Sequence, residues 1–124
     1  MRVLVTGSAG HLGEGLVRTL RARGHVAAGL DRLSSPFTDH VGSVADRDFV
    51  RACQRGADVV IHAAALHKPH VETHSRPAFV ETNIMGTLAI LEAALESGVS
   101  GVVFSSTTSV FGGALRPPSD QPAA

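Results

Sequence analysis

The sequence predicts an α/β fold, a doubly wound parallel sheet with helices on both faces and strand order 3-2-1-4-5. Three observations predict it. The chain opens on an apolar run, Val3-Leu4-Val5, that leads straight into Gly7, Gly10 and Gly13 at G-x-x-G-x-x-G spacing, with a helical stretch after them. Short apolar runs then alternate with helix-like stretches, a pattern that pairs strands in parallel through right-handed crossovers. An acid, Asp31, closes the second apolar run roughly 20 residues past the glycines, where a dinucleotide motif places its carboxylate.

The elements follow in order. Strand one covers Arg2 to Thr6, and a helix runs from His11 to Arg23, stopped by Gly24. Strand two is His25 to Asp31. Ser34-Ser35-Pro36 makes a loop, and a short third strand is expected around Thr38 to Val41, with little room for a crossover helix before it. Asp46 is a good N-cap for a helix that runs to Arg55 and ends at Gly56. Strand four, Asp58 to Ala63, is nearly all apolar, as a strand buried on both faces should be. Pro77 suits the first turn of a long helix that reaches Ser97, with Gly98 as its stop. Strand five is Gly101 to Ser105, and the Pro-containing tail from Gly112 to Ala124 reads as loop. Residues 1–112 thus form one domain and 113–124 a trailing loop.

The glycine spacing carries chemistry. The first glycine permits a tight turn, the second lets the backbone approach a diphosphate, and the third lets helix pack on strand, while free N–H groups at the helix start face the anion. Asp31 would accept from the ribose hydroxyls and repel a 2′-phosphate, which favours NAD over NADP; the neighbouring Arg32 blunts that preference, since it can pair with a phosphate. The bland alternative is an ordinary strand-to-helix turn with Asp31 and Arg32 as a solvated strand end. Small residues Ala63, Ala64 and Ala65 after strand four would let a cofactor lie across the sheet's carboxyl edge, or simply pack closely. Asn83 is a poor helix former inside a long helix, which fits either a polar task or a surface position. Ser105, Ser106 and Thr107 end strand five with three hydroxyls.

Composition narrows the function classes. Eleven cationic and eleven acidic residues give no net charge, and the cations are scattered. That argues against nucleic acid or an anionic membrane surface as the main partner. No apolar run stands out as long enough to span a membrane, no secretory segment precedes strand one, and the single cysteine, Cys53, cannot form an internal disulfide; a reducing, cytoplasmic setting is expected. His67, His70 and His74 have a spacing at which zinc can be imagined, but Pro69 interrupts them and no metal is expected.

Four ordered motifs resemble those of the extended short-chain dehydrogenases/reductases, and more narrowly the NAD-dependent epimerase/dehydratase group with its UDP-galactose 4-epimerase-like enzymes. They are Thr6-Gly7-Ser8-Ala9-Gly10-His11-Leu12-Gly13, His62-Ala63-Ala64-Ala65, Asn83-Ile84-Met85-Gly86-Thr87 and Ser105-Ser106-Thr107-Thr108-Ser109-Val110-Phe111-Gly112. The resemblance implies a Rossmann-type sheet that binds NAD. The implied cofactor contacts are Gly7, Gly10, His11, Leu12, Gly13, Asp31, Arg32, Ser43, Val44, Ala63, Ala64, Ala65, His67, Asn83, Ser105 and Ser106. It further implies that Thr107 is the catalytic hydroxyl that hydrogen-bonds the substrate's reacting oxygen, that Thr108 lines the substrate pocket, and that the substrate is a sugar or sugar nucleotide. The acids that follow this threonine in 4,6-dehydratases are replaced here by Thr108 and Ser109, which disfavours water elimination.

One absence departs from the family. Its Tyr-x-x-x-Lys motif needs a tyrosine to exchange a proton and a lysine to lower the tyrosine's pKa, yet this sequence has no tyrosine, and its one lysine, Lys68, precedes the long helix. The expectation is therefore the NAD-binding portion of an epimerase or dehydrogenase, lacking the family's C-terminal part. The alternative is a non-catalytic dinucleotide-binding module. Either way Val102-Val103-Phe104 would be an open apolar edge, and oligomerisation, a homodimer included, is expected.

Overall fold

The computed structural model describes residues 1–107. Five parallel strands, β1 (Arg2–Thr6), β2 (Val26–Asp31), β3 (His40–Val41), β4 (Val59–His62) and β5 (Gly101–Phe104), form one sheet in the order β3-β2-β1-β4-β5. Helix α1 (His11–Ala22) covers one face. Helices α2 (Arg47–Gln54) and α4 (Gly86–Ser97) cover the other. The strand alternation assigns the core: Val3, Val5 and Ala27 pack against Val17 of α1, while Leu4, Leu30 and Val60 pack against Val50 of α2 and Ile90 and Ala93 of α4. Burying each large aliphatic side chain contributes about 1.5–3 kcal/mol, so the central strand β1, apolar towards both faces, anchors both layers.

Local signals set the helix ends. The Asp46 carboxylate accepts from the Phe49 amide at 3.0 Å and caps α2. Gly24, Gly56 and Gly98 adopt positive φ just past the ends of α1, α2 and α4, a conformation that costs glycine little. Two expectations change in detail. The third strand shrinks to His40–Val41, because the Thr38 hydroxyl is engaged by Ser8 and Ser35, and the Asp39 carboxylate takes the Gly29 amide and the Arg21 guanidinium. The long helix carries Pro77 in its first turn as expected, with the Ser75 hydroxyl accepting from the Ala78 amide, as α3 (Arg76–Val80), but it is not one regular α-helix. It then passes through a π-turn at Glu81–Met85 before α4.

That continuous helical run corrects a further expectation. Arg76–Ser97 is 22 residues long, and by length and composition it is apolar enough to cross a membrane. One side of it serves the core: Ala89, Ile90, Ala93 and Ala94 are buried, and Glu92 and Glu96 pair with Arg47 and Arg51 of α2, while Ile84, Leu88, Leu91 and Leu95 are exposed.

Candidate functional site

Parallel pairing brings the carboxyl ends of the strands to one edge. Thr6 lies in register with Leu30 of β2 and His62 of β4, and His62 with Phe104 of β5. The chain leaves β1 towards β2 and returns from β3 to β4 on the far side of β1. The loops after β1 and β4 therefore diverge, which opens the crevice where doubly wound sheets bind ligands.

The three glycines have different physical reasons. Gly7 has φ +77°, and a Cβ there would come within 2.8 Å of the Ala64 amide nitrogen. Gly13 is buried, and a Cβ there would sit 1.9 Å from the Gly7 carbonyl oxygen, so helix and loop touch backbone to backbone. Gly10 is unlike both. Its backbone is ordinarily extended (φ −84°, ψ 165°), and a Cβ would meet only the Gly7 oxygen at 3.3 Å. The fold does not require glycine at Gly10. Gly10 is also the N-cap of α1 and offers no side-chain cap, so the first-turn amides of His11, Leu12 and Gly13 have no acceptor among the described residues. Unfilled amides at a positive helix end are suited to an anion.

Asp31 ends β2 beside this loop. One carboxylate oxygen accepts from the Ala9 amide at 3.0 Å and the other from the Leu33 amide at 2.9 Å. Each oxygen keeps a lone pair for a further donor, so the residue braces the glycine loop and still presents a charge at the crevice. Arg32 is exposed next to it, as are His11 and Leu12. These residues fit the diphosphate and ribose of a dinucleotide: an uncapped helix start, a bare Cα beside it and a carboxylate at the end of the neighbouring strand.

The second half of the crevice forms after β4. The Ala64 amide donates to the Thr6 hydroxyl at 3.1 Å. The Asn83 side chain, lodged in the π-turn, holds both backbone groups of Leu66 at 2.8 Å. The predicted polar task of Asn83 is therefore visible as geometry: it shapes the Ala63–Leu66 backbone beside Gly7. Ser43 caps a turn through the Ala45 amide, and Val44 is buried against Gly86, so its side chain is committed to packing. His67 stands exposed at the next turn, where its backbone amide donates to His70 Nδ1 at 3.0 Å. The rings of His67, His70 and His74 meet edge to face, and among the described residues no group of His, Cys, Asp and Glu is arranged to hold a metal. Ser105, Ser106 and Thr107 lie exposed past β5, on the same edge; Thr108 lies outside the described residues.

His62 is the functional-site residue that sequence reasoning left without a task of its own. It is 1% exposed, and both ring nitrogens are engaged: Nδ1 lies 2.7 Å from Thr6 Oγ1 and Nε2 lies 3.0 Å from Thr87 Oγ1. Burial pushes its pKa down to about 4. The available signal was a histidine closing an apolar strand between two threonine-bearing motifs.

Comparison with known proteins agrees with this geometry. The profile of the NAD dependent epimerase/dehydratase family matches residues 3–123. A 3-beta-hydroxysteroid dehydrogenase of Mycolicibacterium neoaurum is 33% identical over 122 residues, which cover 90% of this chain and 33% of the relative. A UDP-glucose 4-epimerase of Streptomyces lividans is 34% identical, over 90% of this chain and 37% of its own length. Among solved structures, MoeE5 in complex with UDP-glucose and NAD superposes with a TM-score of 0.80 and 32% identity, over 93% of this chain and 39% of that one. The chain thus spans about a third of the length of these curated relatives. With nearly every residue inside the matched range, the chain belongs to the NAD-dependent epimerase/dehydratase family.

Proposed function

We propose that this chain is the NAD-binding portion of an oxidoreductase of the epimerase/dehydratase type that acts on a sugar nucleotide. The carrying observation is the uncapped start of α1 beside the bare Cα of Gly10, with Asp31 opposite. Gly7, Gly10, His11, Leu12 and Gly13 hold the diphosphate, and Asp31, with Arg32 beside it, holds the adenosine ribose. Ser43 and Val44 border that half. Ala63, Ala64 and Ala65, with His67, Asn83, Ser105 and Ser106, border the other half. Bound NAD supplies a hydride acceptor. Thr107 orients the substrate oxygen that loses its proton as the hydride leaves, and Thr108 lines the substrate pocket. A tyrosine and a lysine from outside these 124 residues complete proton transfer. The sugar-nucleotide reading is supported by MoeE5 and the Streptomyces epimerase; the steroid dehydrogenase relative makes a hydroxysteroid the second substrate to test. A cytoplasmic location and a homodimer complete the proposal. Exposed Ile84, Leu88, Leu91 and Leu95 supply apolar surface for the dimer.

Two expected results test this reading. Asp31→Ala weakens NAD about 5- to 150-fold, the equivalent of roughly 1–3 kcal/mol for a lost charge-assisted contact, and improves NADP relative to NAD. Calorimetric titration with both cofactors checks it, and an unchanged ratio of affinities removes Asp31 from the ribose. The second result is that the 124 residues alone show no turnover. A positioned acid/base supplies about 10²–10⁴-fold in rate, and the sequence holds no tyrosine to provide it. NADH formation and 4-epimer formation would be followed with UDP-sugars and a 3β-hydroxysteroid, using protein of confirmed mass. Clear turnover would demand another base, and His67 would be the first residue to replace.

A further inference from the structure

The hydrogen bonds around His62 form a closed circuit, and their directions follow from donor counting. The Asn83 carbonyl can only accept, so the Thr87 hydroxyl donates to it, at 2.8 Å. With its one hydrogen spent, Thr87 must accept from His62, which places a proton on Nε2. At the other end the Thr6 hydroxyl accepts from the Ala64 amide and has its own hydrogen free for His62 Nδ1. The path then runs from Ala64 through Thr6, His62 and Thr87 to Asn83, whose side chain grips both backbone groups of Leu66. The three residues Ala64-Ala65-Leu66 close the ring.

The ring ties the paired strands β1 and β4 to the continuous helical run that carries the π-turn and α4. Thr6 belongs to β1, His62 to β4, Thr87 to α4 and Asn83 to the π-turn. A group with one acceptor and one donor at opposite ends of a rigid plane satisfies both threonines, and neutral imidazole is such a group. The Phe104 ring lies tilted against the imidazole from β5, with the ring centres 5.8 Å apart. The groups facing the imidazole from β1, β5 and α4 are Thr6, Phe104 and Thr87, all uncharged, and burial is the one influence on its titration.

We infer that His62 is a positioning residue for the cofactor site: as the Nε2–H tautomer it locks the π-turn to the end of β1 and so fixes the Ala64–Leu66 backbone that walls the crevice beside Gly7. This role rests on the proposed NAD site, but the ring itself can be tested without cofactor. Long-range proton–nitrogen correlation spectra of the chain are expected to show His62 in the Nε2–H form, neutral at pH 7 and at pH 5. A titrating His62, or the Nδ1–H form, would overturn the inference.

The second arm uses Thr87→Val, which keeps the side-chain shape and deletes both hydroxyl roles, and Thr87→Ser, which restores them. In Thr87→Val the amides of Ala64 and Leu66 are expected to exchange with solvent about tenfold faster, and NAD to bind about tenfold more weakly; Thr87→Ser recovers both. Exchange unchanged in Thr87→Val overturns the positioning role. Should wild type fail to bind NAD while the exchange rates still respond, the proposed function fails and the positioning of the loop stands. If Thr87→Val does not fold, the tautomer measured in wild type still decides.

Discussion

Gly10→Asp is expected to cut NAD affinity by about 100-fold or more while the chain keeps its fold. The two halves of this result have separate causes. Gly10 sits in an extended conformation open to any residue, and a Cβ there would meet one carbonyl oxygen at 3.3 Å, which a small shift relieves. Aspartate is moreover a good N-cap, so the new carboxylate would take up the first-turn amides of α1 and stabilise the helix by a few tenths of a kcal/mol relative to glycine. Those amides are the ones proposed above to hold the diphosphate. The variant therefore fills the anion site with its own anion, and like charges brought together at a binding site cost several kcal/mol. Calorimetric titration with NAD, with a thermal melt of the same sample, checks both halves. Wild-type affinity in a folded variant would take the diphosphate away from this loop.

The second large effect is a loss of stability in mild acid. Burial lowers the His62 pKa from 6.5 to about 4, so on acidification the unfolded chain takes up this proton first. Stability from this group is complete above about pH 6.5, declines as pH falls and levels off once the native histidine also protonates near pH 4. Integrated over that window, the shift amounts to about 3 kcal/mol, a large share of a small domain's stability. Urea unfolding of wild type and of His62→Gln from pH 7 to pH 4 measures it. The expected outcome is a steeper decline in wild type, since glutamine has no proton to gain. Parallel curves would mean that His62 is not held neutral.

Much of this architecture was legible because it rests on local rules. Val3-Leu4-Val5 followed by spaced glycines, Asp46 ahead of an amphipathic run, and Gly24, Gly56 and Gly98 at helix ends each act within a few residues, and each lies where the pattern placed it. What stayed hidden depends on partners distant in sequence. The π-turn interrupts an otherwise good helical sequence because Asn83 reaches back to Leu66 across the fold, and helix propensity does not register such a bond. β3 is cut to two residues by hydroxyl and carboxylate contacts to Ser8, Arg21 and Gly29, which only the folded sheet brings near. In the site, the residue types were readable and their division of labour was not. Gly7 and Gly13 are demanded by backbone contact, whereas the fold places no such demand on Gly10, and the spacing of the three treats them alike.

The central place of β1 also bears on how the chain is made. It precedes β2 to β5 along the chain, yet its second neighbour, β4, follows 56 residues later, as the pairing of Thr6 with His62 records. Synthesis at about 5–20 residues per second leaves the apolar run Val3-Leu4-Val5 half-paired for roughly 3–11 s. The layer over α1 can gather early from Val3, Val5, Val17 and Ala27, but the opposite layer needs Val60 of β4 and Ile90 of α4 and cannot close in that interval. For a nascent chain of this design, the hazard of sticking to a neighbour is therefore set by the clock of translation as much as by the surface of the finished domain.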